Sequence, residues 1–252
     1  LFASVLPTFF HELLFSGKAY PPSRTAFEYP KILSESDFFP NARSPTLFQF
    51  ACLSSSLAGS YFRLFASSHD GLSFNRLQNA LLGYSGPTLL IVQATSGATF
   101  GAFTSSPWKE SKDFYGNTDC FLFSISPVTA VYRPSGNQRN FMYCNSFARS
   151  RGYDKQAHGL GFGGTVDEPR LFLAESFDNC RAGARDLTFE NGSLLPPTVD
   201  GIPQTAFEID AVEVWGVGGD ETVKAALDER QKARALLVFR SLILIQALLR
   251  KN

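Results

Sequence analysis

The chain has 252 residues, 44% of them hydrophobic, enough for one sizeable core. Its 23 Lys and Arg balance 23 Asp and Glu, so it lacks the concentrated basic surface that nucleic-acid binding needs. Four cysteines at 52, 120, 144 and 180 form no CxxC pair, which argues against a zinc site or disulfide framework and for buried or half-buried thiols in a reducing compartment.

Residues 1–45 are rich in Pro, Ser and Phe and read as a lead-in segment, part of a longer N-terminal region, lying against the main domain. Six prolines between Pro7 and Pro45 leave room only for a short helix over 8–15. A start at Leu1 rather than Met is expected of a fragment or processed product. The apolar opening lacks the basic flank of a signal peptide.

The main domain is expected over 46–218. A helix is predicted over 47–58, a strand over 61–67, and a turn at His69, Asp70 and Gly71. Ser73 should cap a helix running to Leu82, with Phe74, Leu77, Leu81 and Leu82 on its buried face and Arg76, Gln78 and Asn79 towards water. Thr88–Ala94 and Ala98–Thr104 read as a hairpin closed by Thr95-Ser96-Gly97.

Short strands follow over 119–125, 128–133, 140–144, 158–163, 170–175, 178–182 and 207–215. In the last, Phe207, Ile209, Ala211, Glu213 and Trp215 alternate with Glu208, Asp210, Val212 and Val214. That puts Glu208 and Asp210 on a solvated face, while Glu213 falls on the inward phase with Trp215. A buried acid there needs an arginine or backbone N–H groups as partner.

Residues 219–252 change composition, with no Gly or Pro after Gly219, and predict a long C-terminal helix. Leu237, Leu244 and Leu248 continue a stripe that begins at Val223 and widens after Leu236. A helix apolar all round must be covered, by its own domain or by a partner. The most apolar run, 235–249, is broken by Arg240 and Gln246, so no membrane span is expected. Twenty-five Phe among strand-like runs favour sheets packed face to face. The fold class is therefore α+β, mostly β: a two-layer antiparallel β-sandwich with peripheral helices and a long C-terminal helix.

The glycine-rich run Gly159, Gly161, Gly163 and Gly164 is followed by TVDEPRLFLAESF, a turn and strand. A dinucleotide loop needs a helix there, so these glycines serve packing. No serine sits in a G-x-S-x-G elbow, and neither His69 nor His158 has a legible catalytic partner. No catalytic, cofactor or metal site is assigned. The partner-binding candidates are the exposed turns, His69–Gly71, the loop with Asn117 and Asp119, and the segment at His158 leading into Gly159, together with Leu237, Leu244 and Leu248 of the C-terminal stripe.

FRLFASSHDGLSF at 62–74, GPTLLIV at 86–92, GATFGAF at 97–103, YGNTDCFLF, NFMYCN, GLGFGG, RLFLAESF and FEIDAVEVWG at 207–216 occur in the order seen in TLDc domains. The chain resembles that family over roughly 45–220. The resemblance implies a non-enzymatic protein that binds vacuolar-type proton ATPase subunits and supports oxidative-stress resistance. It implies a site of action in the cytoplasm, at the lysosomal or vacuolar surface. A domain running into a terminal helix is most similar to the subgroup tied to lysosomal growth signalling, although LLVFRSLILIQALLRKN departs from that subgroup's tail. Two other readings stand beside this one: a direct antioxidant or hydrolytic enzyme using a thiol or the glycine-rich strand, and a structural domain of a longer protein.

Overall fold

The computed structural model describes residues 30–39, 44–146, 157–197, 205–232 and 235. Within them the chain runs β1 (Lys31–Ile32), α1 (Pro45–Leu53), a 3-10 turn (Ser55–Leu57), β2 (Ser60–Ala66), α2 (Ser67–Asp70), α3 (Phe74–Leu82), β3 (Thr88–Ala94) and β4 (Thr99–Thr104). It continues through β5 (Phe121–Ser126), β6 (Ala130–Tyr132), β7 (Tyr143–Asn145), β8 (Gly159–Gly164), β9 (Pro169–Ala174), β10 (Cys180–Ala182), β11 (Ala206–Phe207) and β12 (Ile209–Gly216). A final helix, α4, spans 220–232. Leu237, Leu244 and Leu248 lie outside the described residues, as does the short helix predicted over 8–15.

The strands form a seven-stranded sheet, β1-β2-β12-β3-β4-β5-β6, and a five-stranded one, β11-β10-β9-β8-β7. All pairs are antiparallel except β1 with β2. The expected sandwich of mostly β structure is thus what forms. Between the sheets lies the main core. Leu90, Val92, Phe100, Leu122, Val212 and Val214 face Leu160, Phe162, Leu171 and Leu173 across it, and Leu77 and Leu81 of α3 join at the side.

The seven-stranded sheet is apolar on its other face too. Leu89, Ile91, Phe103, Phe121, Phe123 and Trp215 point outward beneath Phe39, Leu47 and Phe50. At about 1.5–3 kcal/mol per large apolar side chain, leaving this face bare would forfeit on the order of 10 kcal/mol. That equals a typical domain's whole stability. α1 and the segment 30–39 are therefore needed as a cover.

Two sequence expectations change here. Gln78 is 2% exposed rather than solvated: its amide nitrogen donates to Glu110 Oε1 at 2.5 Å and lies 3.5 Å from Cys144 Sγ. Ser73 stands at the N-cap of α3, but its hydroxyl makes no capping bond. A third difference is in β12, where the register shifts between Ile209 and Ala211. Phe207, expected in the same strand, reaches the inner core from β11 of the five-stranded sheet, whereas Ile209 packs on that core from β12, as do Val212 and Val214. A continuous alternation cannot do this; the bulge changes the phase. Glu208 and Asp210 are exposed, as expected.

The Gly159–Gly164 run is a strand, buried throughout. Gly163 and Gly164 have φ of 66° and 68°, and a Cβ on Gly164 would lie 2.2 Å from the Glu168 carbonyl oxygen. Close backbone approach and a left-handed bend explain these glycines.

Candidate functional site

The loops chosen from sequence fall at opposite ends of the seven-stranded sheet. His69 and Asp70 do not form a simple turn but close a single helical turn, α2, directly after β2. Asp70 Oδ2 accepts from the Ala66 amide at 2.9 Å, and Ser67 Oγ accepts from the Val212 amide at 3.0 Å, so α2 is tied to both neighbouring strands. Gly71 follows with φ 74°. His69 and Gly71 are exposed.

Asn117 and Asp119 lie at the other end, about 20 Å away along strands that rise about 3.3 Å per residue. Asn117 Oδ1 accepts from Ser105 Oγ at 2.6 Å and from the Asp119 amide at 2.9 Å, and Asn117 Nδ2 donates to Ser106 Oγ at 3.1 Å. That loop borders a polar pocket of about 260 Å³ lined by Ser54, Ser56, Ser105, Thr118, Asp119 and Arg133. The serines and Arg133 were not legible as partners of this loop, since only the fold brings 54–56 and 133 beside it. His158 is half-buried just before β8, and its carbonyl accepts from the Glu175 amide at 2.9 Å.

The most organised polar site is on the covered outer face. Glu213 is 1% exposed. One carboxylate oxygen accepts from Ser36 Oγ at 2.7 Å and from Trp215 Nε1 at 2.9 Å; the other accepts from the Asp37 amide at 2.7 Å. The buried acid is thus satisfied by a backbone N–H, an indole and a hydroxyl rather than by an arginine. This clasp fastens residues 36–39 to the centre of the sheet and brings Phe39 between Tyr61 and Trp215, with ring centroids 6.2 and 5.9 Å away.

Burial pushes the Glu213 carboxyl above its ordinary 4.5; its three donors oppose the rise, and the charge of Asp37 adds to it. A carboxyl raised in the folded state stabilises fully below its unfolded value, and that contribution is lost as pH climbs through the folded value. Glu213→Gln has no proton to lose. Urea midpoints measured from pH 4.5 upward should therefore move in favour of the variant, relative to the parent, as pH rises. A constant difference across that range contradicts the assignment.

A second buried constellation is an ion pair. Arg170 Nη1 lies 3.1 Å from Asp186 Oδ1, with the two side chains 0% and 3% exposed. Arg170 also donates to the Gly192 carbonyl and stacks on Tyr132 at 5.5 Å. Asp186 Oδ2 accepts from the amides of Gly164 at 3.0 Å and Thr188 at 2.8 Å. The pair joins the glycine-rich strand, β9 and the loop after β10.

Of the four cysteines, 120, 144 and 180 are buried, whereas Cys52 is exposed on α1, contrary to the expectation of burial. Desolvation raises the Cys120 thiol, and raises Cys180 to about 11. Both stay protonated at neutral pH, which is the unreactive form. No group of three or more His, Cys, Asp or Glu converges as a metal site among the described residues.

Residues 31–218 match the family model described as the TLDc domain. The chain is 33% identical over 185 residues to "MTOR-associated protein MEAK7" of Danio rerio, covering 69% of this chain and 38% of that protein. With the Xenopus laevis protein of the same name the identity is 35% over 181 residues, covering 69% and 37%. It is 27% identical over 117 residues to "Oxidation resistance protein 1" of Xenopus tropicalis, covering 46% and 13%. The chain thus spans less than two-fifths of the length of these relatives.

Proposed function

This chain belongs to the TLDc domain family, and we propose that it is a non-enzymatic interaction module that binds subunits of the vacuolar-type proton ATPase. Through that contact it would support oxidative-stress resistance or growth signalling at the lysosomal or vacuolar surface. The observation that carries this reading is the family match over 31–218, together with relatives named for mTOR association and oxidation resistance. Thiols held protonated by burial weigh against a direct antioxidant reaction at Cys120 or Cys180. Among the described residues no helix is long and apolar enough to cross a membrane.

The contact surfaces in this reading are the sandwich-end loops and the C-terminal helix that the sequence predicts over 219–252, of which α4 is the described part. The start of α4 is anchored, since Val223 and Ala226 are each 3% exposed against the domain, and its apolar stripe runs on in sequence through Leu237, Leu244 and Leu248. Affinity purification of the tagged chain from cell extract is expected to recover ATPase subunits. The pair Leu237→Asp and Leu244→Asp should cut the yield at least ~10-fold, because a charge in an apolar contact costs several kcal/mol. Undiminished recovery by that variant removes the helix from the interaction, and recovery of no ATPase subunit by the parent chain overturns the reading.

A further inference from the structure

We propose that Ser36 is a phosphorylation site that decides whether residues 30–39 stay fastened to the outer face of the seven-stranded sheet. The site rests on the clasp geometry and does not depend on which partner the domain binds.

Besides Phe39 and the Glu213 clasp, this strap is held by a bond from Arg63 Nη1 to the Glu35 carbonyl at 2.5 Å and by half-buried Ile32 and Phe38 packed on the outer cluster. β1 gives two residues of parallel pairing at the sheet edge, with the Lys31 and Leu33 amides donating to the carbonyls of Gly59 and Tyr61 at 2.9 and 3.0 Å. The Leu33 side chain is 55% exposed and anchors nothing. Phe39 is the apolar plug, 4% exposed. Between edge and plug, Ser36 Oγ is the hub. It donates to Glu213 Oε2 at 2.7 Å and accepts from the amides of Phe38 and Phe39 at 3.1 and 3.0 Å. One oxygen therefore shapes the turn that aims Phe39 inward and ties that turn to β12. A hydroxyl has one donor and two lone pairs, and all are engaged.

A phosphoryl group on this oxygen removes the donated proton and adds a charge of about −1.5 to −2 beside the Glu213 carboxyl. It also cannot fit the 2.7 Å gap between the two oxygens. Ser36 is half-buried while its neighbours Glu35 and Asp37 are exposed, so the acceptor suits a serine kinase with a basic, acid-directed groove acting on the open strap. Ser36 Oγ attacks the terminal phosphorus of a nucleoside triphosphate. The bond from that phosphorus to the diphosphate leaving group breaks, and the hydroxyl proton passes to the base of the kinase. The product cannot re-form the clasp, so modification traps the open state.

The test compares the full chain, unmodified, with chains carrying phosphoserine placed during translation at position 36 or at position 34. Only the Ser36-modified chain should show amides 31–39 exchanging hydrogen at least ~10-fold faster, while β3 and β12 stay protected. Unchanged protection of 31–39, or equal loss with the phosphate on Ser34, overturns the proposal. In a second arm, an acid-directed serine kinase and ATP act on the parent and on Glu213→Gln, with peptide mass spectrometry as the readout. Phosphate is expected on Ser36 in both, arriving several-fold faster in the variant, whose clasp has lost an acceptor. No phosphate on Ser36 in either chain also overturns it.

Discussion

Trp215→Ala is expected to destabilise the domain by about 3–5 kcal/mol, the range for truncating a large buried aromatic. Trp215 is fully buried and sits under Phe39 and beside Tyr61, with ring centroids 5.9 and 6.4 Å away. The substitution removes the ring against which the strap packs and also the indole N–H that serves Glu213 at 2.9 Å. Trp215→Phe separates the two effects. It keeps most of the apolar contact and withdraws one donor from a buried acid, costing about 1–3 kcal/mol. Chemical denaturation of the three proteins, followed by circular dichroism, measures both steps. A loss below about 1.5 kcal/mol for Trp215→Ala would mean that the outer face collapses around the gap and that the ring is not its keystone.

Asp186→Ala is expected to cost a similar amount, about 3–5 kcal/mol, because it strands the Arg170 guanidinium in the interior. Arg170 is 0% exposed at its side chain, and its Nε has no partner among the described residues, so the remaining bond to Gly192 cannot satisfy it. Three amides, those of Gly164, Thr188 and Phe189, lose their acceptor in the same step. The informative control replaces both members, Arg170→Met with Asp186→Leu. Removing both charges should recover much of the loss, since a buried pair stabilises little over apolar side chains of similar volume. If the double variant is as unstable as Asp186→Ala, the amides rather than the stranded charge carry the effect. Hydrogen exchange at Gly164 and Thr188 reads that out.

The hairpin of β3 and β4 was legible because two apolar runs flank Thr95-Ser96-Gly97, and its register, Thr88 opposite Thr104, follows from that turn. The burial of Glu213 was legible from its phase with Trp215, and so was its need for backbone N–H groups. Its actual partners were not. Ser36 and Asp37 lie 177 and 176 residues away along the chain, a separation over which local pattern carries no signal. Gln78 was misread for the opposite reason: helical periodicity places a glutamine on the polar face, and only the approach of Glu110 and Cys144 makes a buried amide tolerable there. The bulge at Ile209–Ala211 left no mark because both of its phases read as alternation. Arg170 and Asp186 were hidden in a strand and a long loop, each ordinary on its own. For the candidate contact loops, sequence indicated where turns lie but not that they occupy opposite ends of the sheet.

The position of β12 has a consequence for biosynthesis. Residues 209–216 form a central strand, bonded on one side to β2 at 60–66 and on the other to β3 at 88–94. A ribosome releases β2 and β3 more than a hundred residues before the strand that must lie between them. Until then those strands expose unpaired edges and an apolar face, the condition in which nascent chains attract chaperones or stick to one another. The sheet cannot close gradually as the chain emerges. It must wait for its middle, so a stop codon between Tyr132 and Ile209 leaves β1-β2 and β3-β4-β5-β6 as two half-sheets without the strand that joins them.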